Sequence, residues 1–390
     1  MLRFVTAGES HGKCLTGILE GLPAGLEINP DFINEQLKRR QAGYGRGGRM
    51  HIEKDMILMV AGVRHGKTLG SPVAFTIQNR DWSHWETAMS PEAVPEGAHT
   101  RPLVRPRPGH GDLAGGLKYQ THDLRDVLER ASARETAARV AVGSFCRILL
   151  KAFDITIGSH VLAIGQCRVA PTYEDQVPTE LRERDAESSM QCQDPNTAKE
   201  MIMLIDQAKA AGDTLGGIVE VVACGVPPGL GSHTQWDAKL DGLIGQALMC
   251  IPAAKAVEIG QGISVAQDWG SKVHDEIFYD PEARRFFRKT NRAGGLEAGI
   301  TNGADIRVRI YFKPIPTLRK PLMSVDVLTK QAQAAAFERS DVCVVPAAAV
   351  IGESMLAFVL ARAFLEKFGG DSMRECQANY DSYKGLLNEY

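Results

Sequence analysis

The stretch 124–153 constrains this chain more than any other. Leu124, Val127, Leu128, Ala131, Ala138, Val142, Phe145, Ile148 and Leu149 recur there at helical spacing, and Asp123 in front of them is a residue type that caps helices. Some thirty residues predict a rod of about 45 Å. Arg130, Arg134 and Arg139 lie on the same stretch, so the rod carries charge as well as an apolar face.

The flanking sequence supplies both strands and helices. RFVTA (3–7) and CLTGILEG (14–21) read as strands. Asn29 followed by Pro30 starts a helix that runs to about Gln41 and stops at Gly43, with asparagine as the cap and proline in the first turn. DMILMVAGV (55–63) and SPVAFTIQN (71–79) read as strands joined by the turn RHGKTLG. A polar stretch covers 170–198. A helix follows over 198–211, ending at Gly212, then a strand over 216–226. A Gly-rich zone occupies 291–304, a strand with alternating arginines 306–312, and a helix 354–368 that ends at Gly369-Gly370. Strands and helices mix without a regular βαβ rhythm, and no linker or fixed repeat divides them. The expectation is a single α+β domain over 1–390, with no doubly wound sheet.

Composition narrows the function. The chain is 44% hydrophobic and 24% charged, with a net charge of −2 and a pI near 6.6. That argues against general nucleic-acid binding, which usually shows a basic domain. Eight cysteines are scattered without a CxxC pair, so reduced, buried thiols are expected. The N-terminus MLRFVTAGES has no apolar core of signal-peptide length, and no uncharged run reaches the length of a membrane span. A soluble cytoplasmic protein with no membrane partner is the expectation.

Several motifs are weaker than they look. Gly8-Glu9-Ser10-His11-Gly12 matches the serine-hydrolase elbow, but that elbow needs a strand before it and a helix after it on an established sheet. A strand-like segment follows here instead. AGVRHGKT (61–68) resembles a loosened phosphate loop. Ala61 replaces its first glycine and a strand replaces its helix, so Gly66-Lys67 reads as a hairpin turn. KRRQAGYGRGGR (38–49) carries five positive charges and no acid. It is either a solvated basic face or a Gly-rich arm whose arginines close over an anion. The histidines show no tight ligand spacing, so no metal site is expected.

RPRPGHGD (105–112) carries more. His110 sits in a loop framed by proline and glycine, with Arg105 and Arg107 before it and the arginine-bearing helix after it. A titratable imidazole among fixed positive charges suggests proton chemistry on a strongly anionic substrate. GESHG at 8–12 and ERSD at 338–341 repeat the theme.

Taken in order, GESHG, RPGHGD, RASARETAARV, GGLEAGITNG, KPIPT and ERSDVCVVPAA resemble chorismate synthase, over essentially the whole chain from residue 3 to about 365. The resemblance implies a fold with helices between two antiparallel sheets and a homotetramer. Active-site loops are implied near 40–50, 105–115 and 313–320. The implied reaction is a carbon–oxygen lyase step in the shikimate pathway. It is the anti-1,4-elimination of phosphate and a C6 proton from 5-enolpyruvylshikimate-3-phosphate, giving chorismate, with reduced FMN as transient electron donor. His11 would protonate the departing phosphate, His110 would act on the flavin, and Asp341 would sit near flavin N5 and relay the substrate proton. Substrate contacts carry over to Ser10, Arg40, Arg46, Arg49, Arg107, Arg134 and Arg339. FMN contacts carry over to Ser132, Ala133, Arg134, Ala253, Ala298, Lys313, Pro314, Ile315, Pro316, Thr317 and Arg339. Arg40 and Arg46 match positions assigned to NADPH, and could equally bind substrate. An external flavin reductase is the other source of reduced FMN. The chain departs mildly from the family pattern at Gly111, Ala256 and Ala298, where alanine, glycine and glycine are the commoner residues.

Overall fold

Residues 1–48, 53–170, 189–338 and 340–390 are described by a computed structural model. Four N-terminal strands, β1 (Arg3–Ala7), β2 (Cys14–Glu20), β3 (Ile57–Ala61) and β4 (Val73–Gln78), pair antiparallel in the order β1-β2-β4-β3. Their side chains alternate between the two faces. Leu15, Leu19, Phe75 and Ile77 are buried, whereas Val5, Ile18, Leu58 and Val60 stay exposed. A second antiparallel sheet joins β5 (Thr156–Ile164), β6 (Cys167–Arg168), β7 (Gly217–Cys224), β8 (Ala254–Ile259) and β9 (Ile306–Phe312) in the order β8-β9-β7-β5-β6.

The helices in chain order are α1 (Pro30–Gln41), α2 (Asp112–Tyr119), α3 (Arg125–Ala131), α4 (Thr136–Lys151), α5 (Pro195–Ala211), α6 (Leu240–Met249), α7 (Val345–Phe368) and α8 (Met373–Glu389). The central pair is α4 and α7. α4 leans on the first sheet, α7 on the second, and α1 touches both helices. A helical layer thus lies between two antiparallel sheets, as the family resemblance implied, within the α+β class expected from the element pattern. Gly143 makes the approach of α4 to α7 possible. A Cβ there would lie 2.3 Å from the Ser354 Cβ and 2.4 Å from its Cα. One buried ion network also ties the layer together. Glu353 on α7 accepts from Arg39 of α1 at 2.8 and 2.9 Å, from Arg147 of α4 at 2.6 Å and from Ser159 of β5 at 2.6 Å.

Local sequence accounts for several ends. Asn29 caps α1 through its side-chain oxygen, which accepts the Asp31 and Phe32 N–H groups at 2.9 and 3.4 Å. Residues 61–68 form a hairpin as expected, but its turn is His65–Gly66, both at positive φ, and Lys67 already belongs to the second short strand.

Other expectations are corrected. The stretch 124–153 is not one helix. It breaks at Ser132, which is extended (φ −65°, ψ 141°), and resumes through a single 3-10 turn, Ala133–Glu135. The C-terminal core helix begins at Val345, nine residues before the expected 354, because Pro346 occupies its first turn and Ala347–Gly352 pack in the core. Among the described residues α7 is the one helix long and apolar enough to cross a membrane, yet most of it is buried. The polar stretch 170–198 falls largely outside the described residues. Its C-terminal end is already helical, since Asp194 caps α5 and Pro195 begins it.

Candidate active site

The break at Ser132 opens a cavity of about 870 Å³ between α4, α7 and the loops that follow β1, β4 and β9. At the break the Ser132 Oγ accepts the Arg134 N–H at 3.3 Å and donates to Ser10 Oγ at 3.1 Å. The Ser10 backbone N–H donates to the Glu129 carbonyl at 2.9 Å. That bond ties the 8–12 turn to α3, so His11 meets the end of α3 despite a separation of 118 residues.

His11 is held from three sides. Its backbone N–H donates to Glu129 Oε2 at 2.8 Å, and its Nδ1 lies 2.9 and 3.0 Å from the two Glu129 oxygens. Trp85 stacks on the ring at 3.9 Å with 19° between planes. Glu129 in turn accepts from Arg125 at 3.1 Å. Burial works to raise the Glu129 carboxyl, but the bonds from His11 and the Arg125 charge outweigh it and hold the carboxyl below its usual range. Arg101 lies over the same Trp85 ring at 4.2 Å.

A second histidine in the lining repeats this construction. His110 Nδ1 lies 2.6 Å from Asp112 Oδ1, and Asp112 accepts from the Arg107 Nε at 2.8 Å. Burial would raise the Asp112 carboxyl, yet the His110 and Arg107 bonds prevail and hold it far below the ordinary carboxylate range. Arg107 also donates to Thr317 Oγ1 at 2.9 Å, and the Lys313 Nζ donates to the Gly109 carbonyl. These bonds lock the 313–317 turn against the histidine loop.

A third cluster joins loop 45–48 to residue 341. Asp341 accepts the Gly47 N–H at 2.5 Å and pairs with Arg46 at 2.7 Å. Glycine is needed at 47, since a Cβ would meet the Ser340 carbonyl oxygen at 2.7 Å. Deeper in, Asp55 pairs with Arg134 at 2.6 Å and with Arg40 at 3.5 Å. Arg40 also donates to Thr136 Oγ1 and to the Ala133 carbonyl, both at 2.9 Å. Burial is the main effect pulling the Arg40 guanidinium down to about 9, with Asp55 opposing it and Arg134 and Arg46 adding to it. Among the described residues, Arg40 Nη1 and Arg134 Nη2 are buried donors with no hydrogen-bond partner. Donors buried in that way are costly unless something accepts from them.

Arg40, Arg46, Arg101, Arg107, Arg134 and Lys313 all line this cavity, against Asp81, Glu338 and Asp341. The balance favours an anion. Ile251, Pro252, Val344, Ala347, Ala348 and Ile351 supply apolar wall. The arrangement can hold a polyanion and move protons at two imidazoles.

Most residues singled out from the sequence converge here. Ser10, His11, Arg40, Arg46, Arg107, His110, Ser132, Ala133, Arg134, Ala253, Lys313, Ile315, Pro316, Thr317 and Asp341 all line the cavity. Pro314 lies in the same turn but off the lining. Ala298 is not among the lining residues. It forms, with Gly299, the positive-φ turn of the hairpin Leu296–Glu297 and Ile300–Thr301, beside Lys239. Arg49 and Arg339 lie outside the described residues. Sequence reasoning missed Asp81, His84, Trp85 and Arg101, of which Asp81 and His84 lie on a short 3-10 helix (Arg80–His84) and the other two in the connection that follows it. It also left Glu129 unused, although that residue opens the ERASARET run.

A family model described as chorismate synthase matches residues 2–365. A chorismate synthase of Solibacter usitatus is 54% identical over 392 residues, covering all of both chains. One of Symbiobacterium thermophilum is 55% identical over 388 residues, covering 98% of each. A solved chorismate synthase crystal structure superposes with a TM-score of 0.80 at 44% identity, covering 100% of this chain and 99% of that one.

Proposed function

The chain belongs to the chorismate synthase family and is a lyase of that type, and we propose that it eliminates phosphate and the C6 proton from 5-enolpyruvylshikimate-3-phosphate in the 1,4-anti sense. The observation that carries this reading is the cavity itself. Two carboxylate-braced histidines and Asp341 share it with Arg40 and Arg134, each of which keeps one buried nitrogen that makes no hydrogen bond and only a long ion pair, Arg40 with Asp55 at 3.5 Å and Arg134 with Glu53 at 3.9 Å. A substrate with one phosphate and two carboxylates offers closer acceptors to these guanidiniums.

In this reading His11 gives a proton to the departing phosphate, which leaves more readily when protonated. Asp341, held by Gly47 and Arg46, relays the proton removed at C6. Reduced FMN, when bound, supplies an electron transiently and recovers it, so the reaction has no net redox change. Ser132, Ala133, Ala253 and the turn 313–317 line the side assigned to that cofactor, and His110 serves its charged form. Arg40 and Arg46 lie inside the cavity rather than on an outer surface, which supports substrate over NADPH as their ligand. The exposed apolar row Val5, Ile18, Leu58 and Val60 on the first sheet is in keeping with the proposed homotetramer.

The test is an anaerobic assay with chemically reduced FMN and the enolpyruvyl substrate. Chorismate should form. Tight flavin binding without chorismate would leave a flavin-binding protein and remove the lyase mechanism. The same assay in air, with NADPH as sole reductant, decides whether the chain reduces its own FMN or depends on an external reductase.

A further inference from the structure

We propose that Glu129 is the positioning residue for His11, keeping the ring proton on Nδ1 so that Nε2 is the atom that exchanges a proton with the leaving group. The inference rests on the reading of His11 as the acid. Nothing in that reading says which ring nitrogen acts, and a neutral imidazole has two tautomers.

Three observations decide between them. Both Glu129 oxygens lie within 3.0 Å of Nδ1, and a carboxylate can only accept, so Nδ1 must be the donor. The same carboxylate takes the His11 backbone N–H at 2.8 Å, which fixes the ring relative to its own main chain. Trp85 stacks on one ring face at 3.9 Å with 19° between planes, which holds the ring plane. Arg125 donates to Glu129 Oε1 at 3.1 Å and also reaches Glu338 at 2.9 Å, so the carboxylate is anchored by a second residue.

The proton balance is simple. The imidazolium carries protons on both nitrogens. The Nε2 proton passes to a phosphate oxygen as the carbon–oxygen bond breaks and its electron pair leaves with the phosphate. The ring returns to the neutral Nδ1–H form, which Glu129 already holds, and no other group has to move.

The test uses the full-length protein labelled with 15N. Ring correlations of His11, identified by their loss in His11→Ala, are recorded at mildly alkaline pH, where an ordinary imidazole is neutral. Wild type should carry the proton on Nδ1 and none on Nε2. Glu129→Gln keeps the shape but offers an amide that can turn its NH2 to the ring. It should show protonated Nε2, and kcat should fall on the order of 10²-fold with KM nearly unchanged. A wild-type ring protonated on Nε2 and bare on Nδ1 overturns the proposal without any variant having to fold. So does Glu129→Gln with an unchanged ring spectrum and unchanged kcat. Full turnover in His11→Ala instead removes the acid role of His11, while the wild-type spectrum still decides the Glu129 contact.

Discussion

Asp341 and Gly47 meet across 294 residues of chain, with the Gly47 N–H donating to the Asp341 carboxylate at 2.5 Å while Arg46 holds the other oxygen at 2.7 Å. The carboxylate is thus fixed at the cavity lining by one neutral donor and one charged donor. Asp341→Asn keeps an oxygen for the Gly47 N–H and removes the charge that a relayed proton needs. FMN and substrate should still bind within a few-fold of wild type, whereas turnover should fall by about 10²-fold or more. Equilibrium titration beside single-turnover anaerobic assays separates the two effects. Normal turnover in this variant removes Asp341 from the relay.

Asp55 is the buried counter-charge for two guanidiniums, at 2.6 Å from Arg134 and 3.5 Å from Arg40. Asp55→Asn leaves both cations without it, and breaking a buried pair in this way costs roughly 3–5 kcal/mol. The ligand-free variant should therefore melt well below wild type. An added anion that reaches the cavity should recover part of the loss, so inorganic phosphate should raise the melting temperature more in the variant than in wild type. Equal shifts would mean that these arginines do not face the anion site.

Much of this was legible before any coordinates. The alternation in β1, β2, β4 and β9, the Asn29 cap and the hairpin at residues 63–68 follow from local pattern, and short motifs carried most of the cavity lining. The break at Ser132 was not legible, because Leu124, Leu128, Ala138 and Val142 keep helical spacing on both sides of it. Only tertiary context reveals that Ser132 turns its Oγ to Ser10 and that Arg134 is drawn towards Asp55 and Asn79. Trp85 and Arg101 were hidden for a different reason. They act from an irregular segment, and their role exists only once His11 is placed against them. Ala298 shows the converse, a motif residue that the fold sets on a hairpin turn outside the lining of this cavity.

Gly143 tests the helical layer. An added methyl would sit 2.3 Å from the Ser354 Cβ and 2.4 Å from its Cα, and neither atom belongs to a flexible side-chain end. Alanine favours helix by up to about 1 kcal/mol over glycine, but overpacking of this kind usually costs about 1–3 kcal/mol. The steric cost should win because the backbone of α7 is what must yield. Gly143→Ala should lower the urea midpoint with little change in slope. A stabilised Gly143→Ala would show that the two helices can separate freely at this point.

Glu353 sets the acid limit of the fold. Burial acts to raise its carboxyl, but Arg39, Arg147 and the Ser159 hydroxyl together lower it from 4.5 to about 2. A carboxyl depressed in the folded state contributes stability that is fully present above its unfolded value and is lost as pH falls towards its folded value. The window therefore runs from about 4.5 down to about 2, and Glu220, lowered to about 2 by His160 and Arg307 against its own burial, acts over the same window. Denaturant midpoints should hold steady above about pH 5 and fall steadily below it. Glu353→Gln should be less stable near neutrality, because two guanidiniums lose their buried counter-charge. Its stability should also depend less steeply on pH in the acid window. An unchanged acid slope in Glu353→Gln would assign the acid loss to other carboxyls.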